Sequence, residues 1–217
     1  MTQNVYDDDE FFEGYSRLPR SVEGLDGAPE WPALRAMLPD LCGRKVLDLG
    51  CGFGWFCRWV REQGVAQVLG IDVSEKMLAR ARATTQDEAI TYTRADMEQL
   101  ELAPGSFDLV YSSLALHYIE NLDGLMAEVY RSLVPGGSLV FSVEHPIFTA
   151  PAEPGWSTDA AGRRIWPVDS YLNMLLRRGF ALRHVEEWGP TEEQIAAHPQ
   201  WADERQRPLF LLIGARR

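Results

Sequence analysis

The sequence lacks the features that mark exported, membrane-embedded or nucleic-acid-binding proteins. No apolar run approaches the ~18 residues that a membrane-spanning helix needs. The first ten residues are polar and acidic, unlike a secretory or transit signal, so we expect a cytoplasmic protein without a membrane partner. The 21 Lys and Arg residues stand against 32 Asp and Glu, a net charge of −11. Because nucleic-acid-binding proteins usually present a basic face, this balance argues against an RNA or DNA partner.

Cysteine is also scarce, and its spacing fits neither a disulfide framework nor a metal site. Cys42, Cys51 and Cys57 are odd in number and contain no C-x-x-C pair, so we expect reduced, partly buried thiols and no metal. No internal repeat is present. With 46% hydrophobic residues, the 217-residue chain can bury the core of one α/β domain. We expect the protein to be a monomer or a homodimer.

The stretch that organises the chain is KVLDLGCGFG, residues 45–54. Its apolar start predicts a short buried strand, and residues 55–62 favour a helix. Gly50, Gly52 and Gly54 therefore lie at a strand-to-helix switch. Glycine tolerates positive φ and has no Cβ, so a ligand can lie directly against the backbone there. Since ligands of open α/β sheets bind outside the carboxyl ends of the strands, this position predicts a nucleotide-type site.

The glycine pattern is compatible with two kinds of nucleotide-binding site. A dinucleotide fold requires Gly-x-Gly-x-x-Gly/Ala, whose third small residue allows close packing of helix on strand. Counting from Gly50, that position holds the bulky Trp55, and the third glycine comes one residue early at Gly54. The spacing argues against an NAD-dependent oxidoreductase, which stays the alternative prediction, together with a cofactor-binding protein that lacks transferase activity.

The pattern Asp48-x-Gly50-x-Gly52-x-Gly54 resembles motif I of the class I S-adenosylmethionine-dependent methyltransferases. Four further stretches resemble the same family in the expected order: VLGIDVS (68–74), ADM (95–97), FDLVYSSLALHY (107–118) and LVPGGSLVFS (133–142). The resemblance is to the type 11-like small-molecule methyltransferases. It implies S-adenosylmethionine as cofactor, S-adenosylhomocysteine as product and methyl transfer to a small-molecule substrate.

The resemblance also implies the fold. We expect an α/β, Rossmann-like, seven-stranded, mostly parallel sheet with helices on both faces and an antiparallel C-terminal hairpin. The predicted regions are an N-terminal arm and helix over the cofactor site (1–40), the S-adenosylmethionine-binding core (41–145), a proline-rich lid or loop (146–169) and a C-terminal helix with the closing hairpin (170–217). The resembling subfamily usually carries a longer segment after Asp169. The lid is therefore either shortened or incomplete in this sequence.

The resemblance assigns cofactor contacts residue by residue. Asp72 is expected to accept hydrogen bonds from the ribose hydroxyls and Asp96 from the adenine amino group. Asp48 is expected to face the methionyl amino group, because a buried carboxylate without a cationic partner is costly. Tyr15 and Arg20 belong either to a surface arm or to a flap over the cofactor, where an arginine meets its carboxylate. The other predicted cofactor contacts are Gly50, Cys51, Gly52, Val73, Met77, Met97 and Ser112.

In methyl transfer from a sulfonium, the protein mainly has to position the two reactants, since the cofactor already carries the activated methyl group. Donor and acceptor must be aligned and water excluded. His117 and His145 follow the fourth and fifth predicted strands and are the catalytic candidates, as a general base for an oxygen or nitrogen acceptor. The alternative is that each histidine fixes its loop through backbone hydrogen bonds.

Overall fold

The strands of this chain form one mixed sheet with parallel strands on one side and a hairpin on the other. A computed structural model describes residues 4–149, 167–205 and 207–217. Neighbours among the first five strands pair in parallel, and the seventh strand is antiparallel to both the fifth and the sixth. The strands are β1 (Lys45–Leu49), β2 (Gln67–Asp72), β3 (Ile90–Arg94), β4 (Phe107–Ser113), β5 (Leu133–Glu144), β6 (Ala181–Trp188) and β7 (Phe210–Arg216), in the spatial order β3-β2-β1-β4-β5-β7-β6.

Nine α-helices lie in the described residues and connect or flank these strands. Several are short, and brief 3-10 turns separate the N-terminal ones. The helices are α1 (Asp9–Tyr15), α2 (Pro19–Val22), α3 (Trp31–Ala36), α4 (Trp55–Glu62), α5 (Glu75–Ala83), α6 (Leu122–Ser132), α7 (Pro146–Thr149), α8 (Val168–Arg177) and α9 (Glu192–Ala197). No helix within the described ranges is both long and apolar enough to cross a bilayer.

The sheet is buried on both faces, which explains its continuous apolar strands. In β1, Val46 packs in one core and its neighbour Leu47 in the other, because successive side chains point to opposite faces. One core contains residues of α6 and α8. The other contains residues of α3, α4 and α5. This arrangement confirms the predicted fold class, with helices on both faces and the antiparallel C-terminal hairpin.

The differences from the sequence expectations lie at element ends and after the fifth strand. The apolar residues at i, i+3, i+4 and i+7 spacing predict a helix over residues 122–133, but Leu133 begins β5, since its backbone is extended at the helix C-terminus. Helix α9 was not predicted, although Thr191 and Gln194 form a capping box that signals a helix start. Of the proposed lid, residues 150–166 lie outside the described residues, and residues 146–149 form the short helix α7.

Candidate functional site

The turn between β1 and α4 is the base of the site. Gly50 and Gly52 both have positive φ, 74° and 50°. The backbone N–H groups of Gly50 and Cys51 donate to the carbonyl of Ile71 at 2.8 and 2.9 Å, which ties the turn to the end of β2. A Cβ on Gly50 would lie 2.4 Å from the Cβ of Ala115, whereas a Cβ on Gly52 would meet nothing within 4 Å. Gly50 is therefore required for packing, and the Gly52 backbone faces open space.

Asp72 ends β2 directly beside this turn. Its carboxylate accepts hydrogen bonds from the backbone N–H of Gly52 and of Ser74, both at 2.9 Å. Burial raises the pKa of Asp72 above its ordinary value, against the opposing effect of those two hydrogen bonds. Each carboxylate oxygen still has a second lone pair that can accept from a ligand hydroxyl. Asp72 thus presents a fixed double acceptor to the cavity.

A cavity of about 240 Å³ lies at the carboxyl edge of the sheet. Its lining joins residues from the ends of β2, β4 and β5 to residues of the N-terminal segment. Of the residues predicted from sequence, it contains Tyr15, Arg20, Gly50, Gly52, Asp72, Val73, Met77, Met97 and His117. It also contains residues absent from the predicted site, among them Tyr6, Leu18, Ser113, Leu114, Ala115, Tyr118, Ile119 and Glu144.

A second, smaller cavity of about 90 Å³ adjoins the same turn. Asp48 and Cys51 line it, and Arg20 lines both cavities. Asp48 is 2% exposed, and the thiol of Cys57 donates to its Oδ2 at 3.2 Å. Burial raises the pKa of Asp48 to about 7, with a further contribution from the negative charge of Asp72. No cationic side chain of the described residues pairs with it.

Three residues predicted for the site do not line either of these two cavities. Ser112 is fully buried and its hydroxyl donates to the carbonyl of Leu49 at 2.7 Å, so the alternation of β4 presents Ser113 to the cavity instead. The carboxylate of Asp96 accepts from the backbone N–H of Glu98, which caps the turn that begins at Met97.

His145 is the third of these residues. It is 2% exposed, its Nε2 lies 3.1 Å from Oε1 of Glu187, and its Nδ1 accepts from the backbone N–H of Ile147 at 3.1 Å. Among the described residues, His145 therefore contacts β6 and its own loop, and it does not line either cavity.

His117 occupies the other side of the larger cavity. Its Nε2 lies 4.0 Å from Oε1 of Glu144, and its ring is 4.2 Å from that of Tyr118. Leu114, in the turn before it, has a φ of 52°, a conformation that L-residues rarely adopt. Its backbone N–H donates to the carbonyl of Ser142 at 3.0 Å. This turn between β4 and α6 places Ala115 against the Gly50 turn.

Residues 4–30, which we call the N-terminal cover, contribute Tyr6, Tyr15, Leu18 and Arg20 to the lining of the larger cavity. The hydroxyl of Tyr6 donates to that of Tyr118 at 3.2 Å, and burial raises the pKa of Tyr6. Asp7 accepts from the hydroxyl of Ser74 at 2.6 Å and from the backbone N–H of Lys76 at 3.2 Å. The N-terminal cover is thereby attached to the start of α5, beside Asp72.

Sequence reasoning missed Glu30, the fully buried partner of Arg20. One nitrogen of Arg20, Nη2, donates to both oxygens of Glu30 at 2.9 and 3.1 Å. The only signal in the sequence is its position next to Trp31 at the start of a predicted helix, where a glutamate is ordinary. Its burial follows from tertiary packing alone.

Known proteins resemble this chain over most of its length. A family model described as a methyltransferase domain matches residues 47–141. The crystal structure of an S-adenosylmethionine-dependent methyltransferase from Mesorhizobium loti is 54% identical and covers 89% of this chain and 100% of that one, with a TM-score of 0.82. A Haemophilus influenzae protein without an assigned function is 33% identical over 251 residues, covering 99% of this chain and 97% of its own.

The cofactor half has a further relative. A malonyl-[acyl-carrier protein] O-methyltransferase of Enterobacter lignolyticus is 44% identical over 110 residues, which are 51% of this chain and 43% of that protein. The glycine turn, the sheet order and these similarities favour the methyltransferase prediction over the oxidoreductase alternative. The chain belongs to the S-adenosylmethionine-dependent methyltransferases, and its cofactor is S-adenosylmethionine.

Proposed function

We propose that this enzyme transfers the methyl group of S-adenosylmethionine to a small-molecule acceptor inside the cavity beneath the N-terminal cover. The observation that carries the proposal is the composition of that cavity. Asp72 at the end of β2 and His117 after β4 line the same space. In the sheet order, β1 separates those two strands, so donor and acceptor have neighbouring positions along one carboxyl edge.

The residues present suit the cofactor. Asp72 offers two oxygens to the ribose hydroxyls, and the open face of Gly52 lets a ligand approach the backbone. Met77 and Met97 supply apolar surface for the adenine side of the cavity. Asp48 lies buried with no cationic partner among the residues that the structure describes, and the methionyl ammonium would supply one. Arg20 would bind the methionyl carboxylate, with Tyr15 beside it.

Catalysis in this proposal rests mainly on alignment and on the exclusion of water. The cofactor, when bound, supplies a methyl group that is already activated as a sulfonium. The protein holds the acceptor in line with it, which is worth several kcal/mol. His117 is the side chain best placed to take a proton from an oxygen or nitrogen acceptor, because it lines the cavity and lies 4.0 Å from Glu144. His145 fixes its loop.

The acceptor is proposed to be a small molecule because the site is a cavity of about 240 Å³ and the chain carries a net charge of −11. A long polyanion such as RNA would need a basic face, which that charge disfavours. In this proposal the N-terminal cover opens to admit both ligands and closes for the reaction.

Titration calorimetry tests the cofactor half of the proposal. We expect S-adenosylhomocysteine to bind more tightly than NAD, and Asp72→Ala to weaken its binding by about 1–3 kcal/mol through lost charge-assisted hydrogen bonds. Asp26→Ala, an exposed carboxylate in the N-terminal cover, is the matched control and should change nothing. An unchanged affinity in Asp72→Ala would remove the ribose assignment.

The acceptor half is tested by S-adenosylhomocysteine release from S-adenosylmethionine in the presence of separated cell fractions. We expect turnover with the dialysable fraction and none with RNA, DNA or protein fractions. Turnover only with a macromolecular fraction would contradict the small-molecule proposal. Cofactor binding without turnover in any fraction would instead indicate a binding protein.

A further inference from the structure

Arg20 is held by a buried carboxylate. The side chain of Glu30 is 0% exposed and that of Arg20 is 22% exposed. Taking a carboxylate out of water is costly unless a cation and hydrogen bonds compensate it. Arg20 supplies both, through the two contacts of Nη2 with Oε1 and Oε2 at 2.9 and 3.1 Å. Glu30 therefore fixes where the Arg20 guanidinium lies.

The contact with Glu30 occupies only one of the three nitrogens of the Arg20 guanidinium. A guanidinium has five N–H donors, and within the described ranges the Nε and Nη1 groups of Arg20 form no hydrogen bond. Arg20 also lies at the boundary between the two cavities, since it lines both. A planar donor that has one nitrogen anchored and that lines both cavities is suited to receive a second carboxylate.

The surroundings of Arg20 decide which ligand group suits it. Glu30 and Asp48 both line the smaller cavity, and among its lining residues in the described part of the chain Arg20 is the one cation. A ligand end that carries an ammonium and a carboxylate on one carbon would satisfy both Asp48 and Arg20. A ligand that lacks this end would leave Asp48 without a cation and gain nothing from Arg20.

We infer that Glu30 is a positioning residue that holds the Arg20 guanidinium at the boundary of the two cavities, and thereby sets the preference of the site for ligands with an α-amino-acid end. The inference rests on the proposed function, in which Arg20 binds the methionyl carboxylate. Glu30 itself does not touch the ligand. Its effect passes through the orientation of Arg20, because the long arginine side chain loses less rotational freedom on binding when it is already held.

The test compares two ligands on the same variants by titration calorimetry. S-adenosylhomocysteine carries the amino-acid end, and 5′-methylthioadenosine keeps the adenosine and the sulfur but lacks that end. We expect Glu30→Gln to weaken S-adenosylhomocysteine about tenfold, as expected for loss of a charge-assisted contact. The affinity for 5′-methylthioadenosine should stay within about twofold, because that ligand does not reach Arg20. Glu23→Gln, an exposed carboxylate of the same segment, is the control and should leave both affinities unchanged.

Further variants separate the possible outcomes. Arg20→Ala should lower the S-adenosylhomocysteine affinity at least as much as Glu30→Gln, and the double variant no further than Arg20→Ala alone. Equal losses for both ligands in Glu30→Gln would show a merely structural role and overturn the inference, as would no loss for either. If Arg20→Ala is ligand-selective and Glu30→Gln is not, only the positioning role fails. If Arg20→Ala leaves the ratio of the two affinities unchanged, the proposed carboxylate site itself fails.

Folding of the variants is checked by thermal unfolding. Should Glu30→Gln not fold, Glu30→Asp keeps the charge and withdraws the carboxylate by one methylene. That variant should reduce the affinity for S-adenosylhomocysteine and spare 5′-methylthioadenosine. An equal change in both affinities would overturn the inference in this variant as well.

Discussion

The base of the cavity and its cover are built in different ways. The base is the glycine turn and the strand ends, where Leu49 is fully buried and backbone hydrogen bonds from Gly50 and Cys51 reach Ile71. The N-terminal cover is held by side-chain contacts at Tyr6 and Asp7 and keeps several apolar side chains exposed. The base is therefore formed before a ligand arrives. The cover is attached by contacts that can break individually, as a gate requires.

The largest effect on stability is expected when an alanine replaces a glycine in the base of the cavity. In Gly50→Ala, the new Cβ would meet that of Ala115 at 2.4 Å, at a φ of 74° that disfavours alanine. We expect the free energy of unfolding to fall by about 2–5 kcal/mol, measured by urea denaturation. Gly43→Ala has a similar φ of 71° but open space, so it should lose only the backbone part.

In the cover, a Gly-to-Ala substitution should change the free energy of unfolding in the opposite direction. Gly14→Ala lies in α1 with nothing within 4 Å of the new Cβ. We expect the free energy of unfolding to rise or to stay unchanged, since alanine is favoured over glycine in a helix by about 1 kcal/mol. If Gly14→Ala destabilised the protein as much as Gly50→Ala, the proposed difference between base and cover would not hold.

The next largest effect is the dependence of folding stability on pH that Asp48 causes. Its pKa in the unliganded fold is raised to about 7 from an ordinary value of 3.8, so the folded state holds this proton more tightly than the unfolded chain. The contribution of Asp48 to stability is therefore full below pH 4 and is lost as pH rises towards 7. The loss is about 1.4 kcal/mol per pH unit within that window.

Asp48→Asn removes this dependence, because an amide does not titrate. Without cofactor, the variant should be more stable than the native enzyme at pH 8, in urea titrations run from pH 5 to 8. It should also bind S-adenosylhomocysteine more weakly. Native binding should weaken as pH falls below 7, where Asp48 becomes protonated and no longer attracts an ammonium. A stability difference that is independent of pH would contradict the assignment.

A smaller effect than that of Asp48 is expected from Asp7, which holds the start of the cover. Asp7→Asn weakens the contacts with Ser74 and Lys76, worth about 1–2 kcal/mol, and leaves the base intact. We expect severalfold faster proteolytic cleavage of the N-terminal cover without cofactor, and slower cleavage when S-adenosylhomocysteine is bound. Glu10→Gln, an exposed neighbour, is the control. Equal cleavage of Asp7→Asn and the native enzyme, with and without ligand, would show that Asp7 does not hold the cover.

How much could be predicted differs between these two regions for a physical reason. The bounds of α4 agree with the sequence prediction because local periodicity and glycine placement specify them. For residues 1–40 the sequence predicts an arm and one helix, and it does not reveal α1 and α2, since neither contains a buried apolar stripe. Within β4, the choice between Ser112 and Ser113 depended on strand parity, which the apolar pattern of a strand buried on both faces does not reveal.

The sequence by itself indicated the family, the cofactor and a mostly parallel sheet, because five motifs resemble those of the class I S-adenosylmethionine-dependent methyltransferases in the expected order. The glycines and the acid that follows them are local requirements of one backbone turn, so they can be recognised without the fold. Only the tertiary structure decided which distant side chains share the cavity. The contacts of Tyr6 with Tyr118 and of His145 with Glu187 join residues that are 112 and 42 positions apart in the sequence. Arg20 and Glu30 are only 10 positions apart, but their pairing depends on the complete burial of Glu30 in the folded protein. No local pattern encodes such contacts, since they arise from how the elements pack once the sheet has formed.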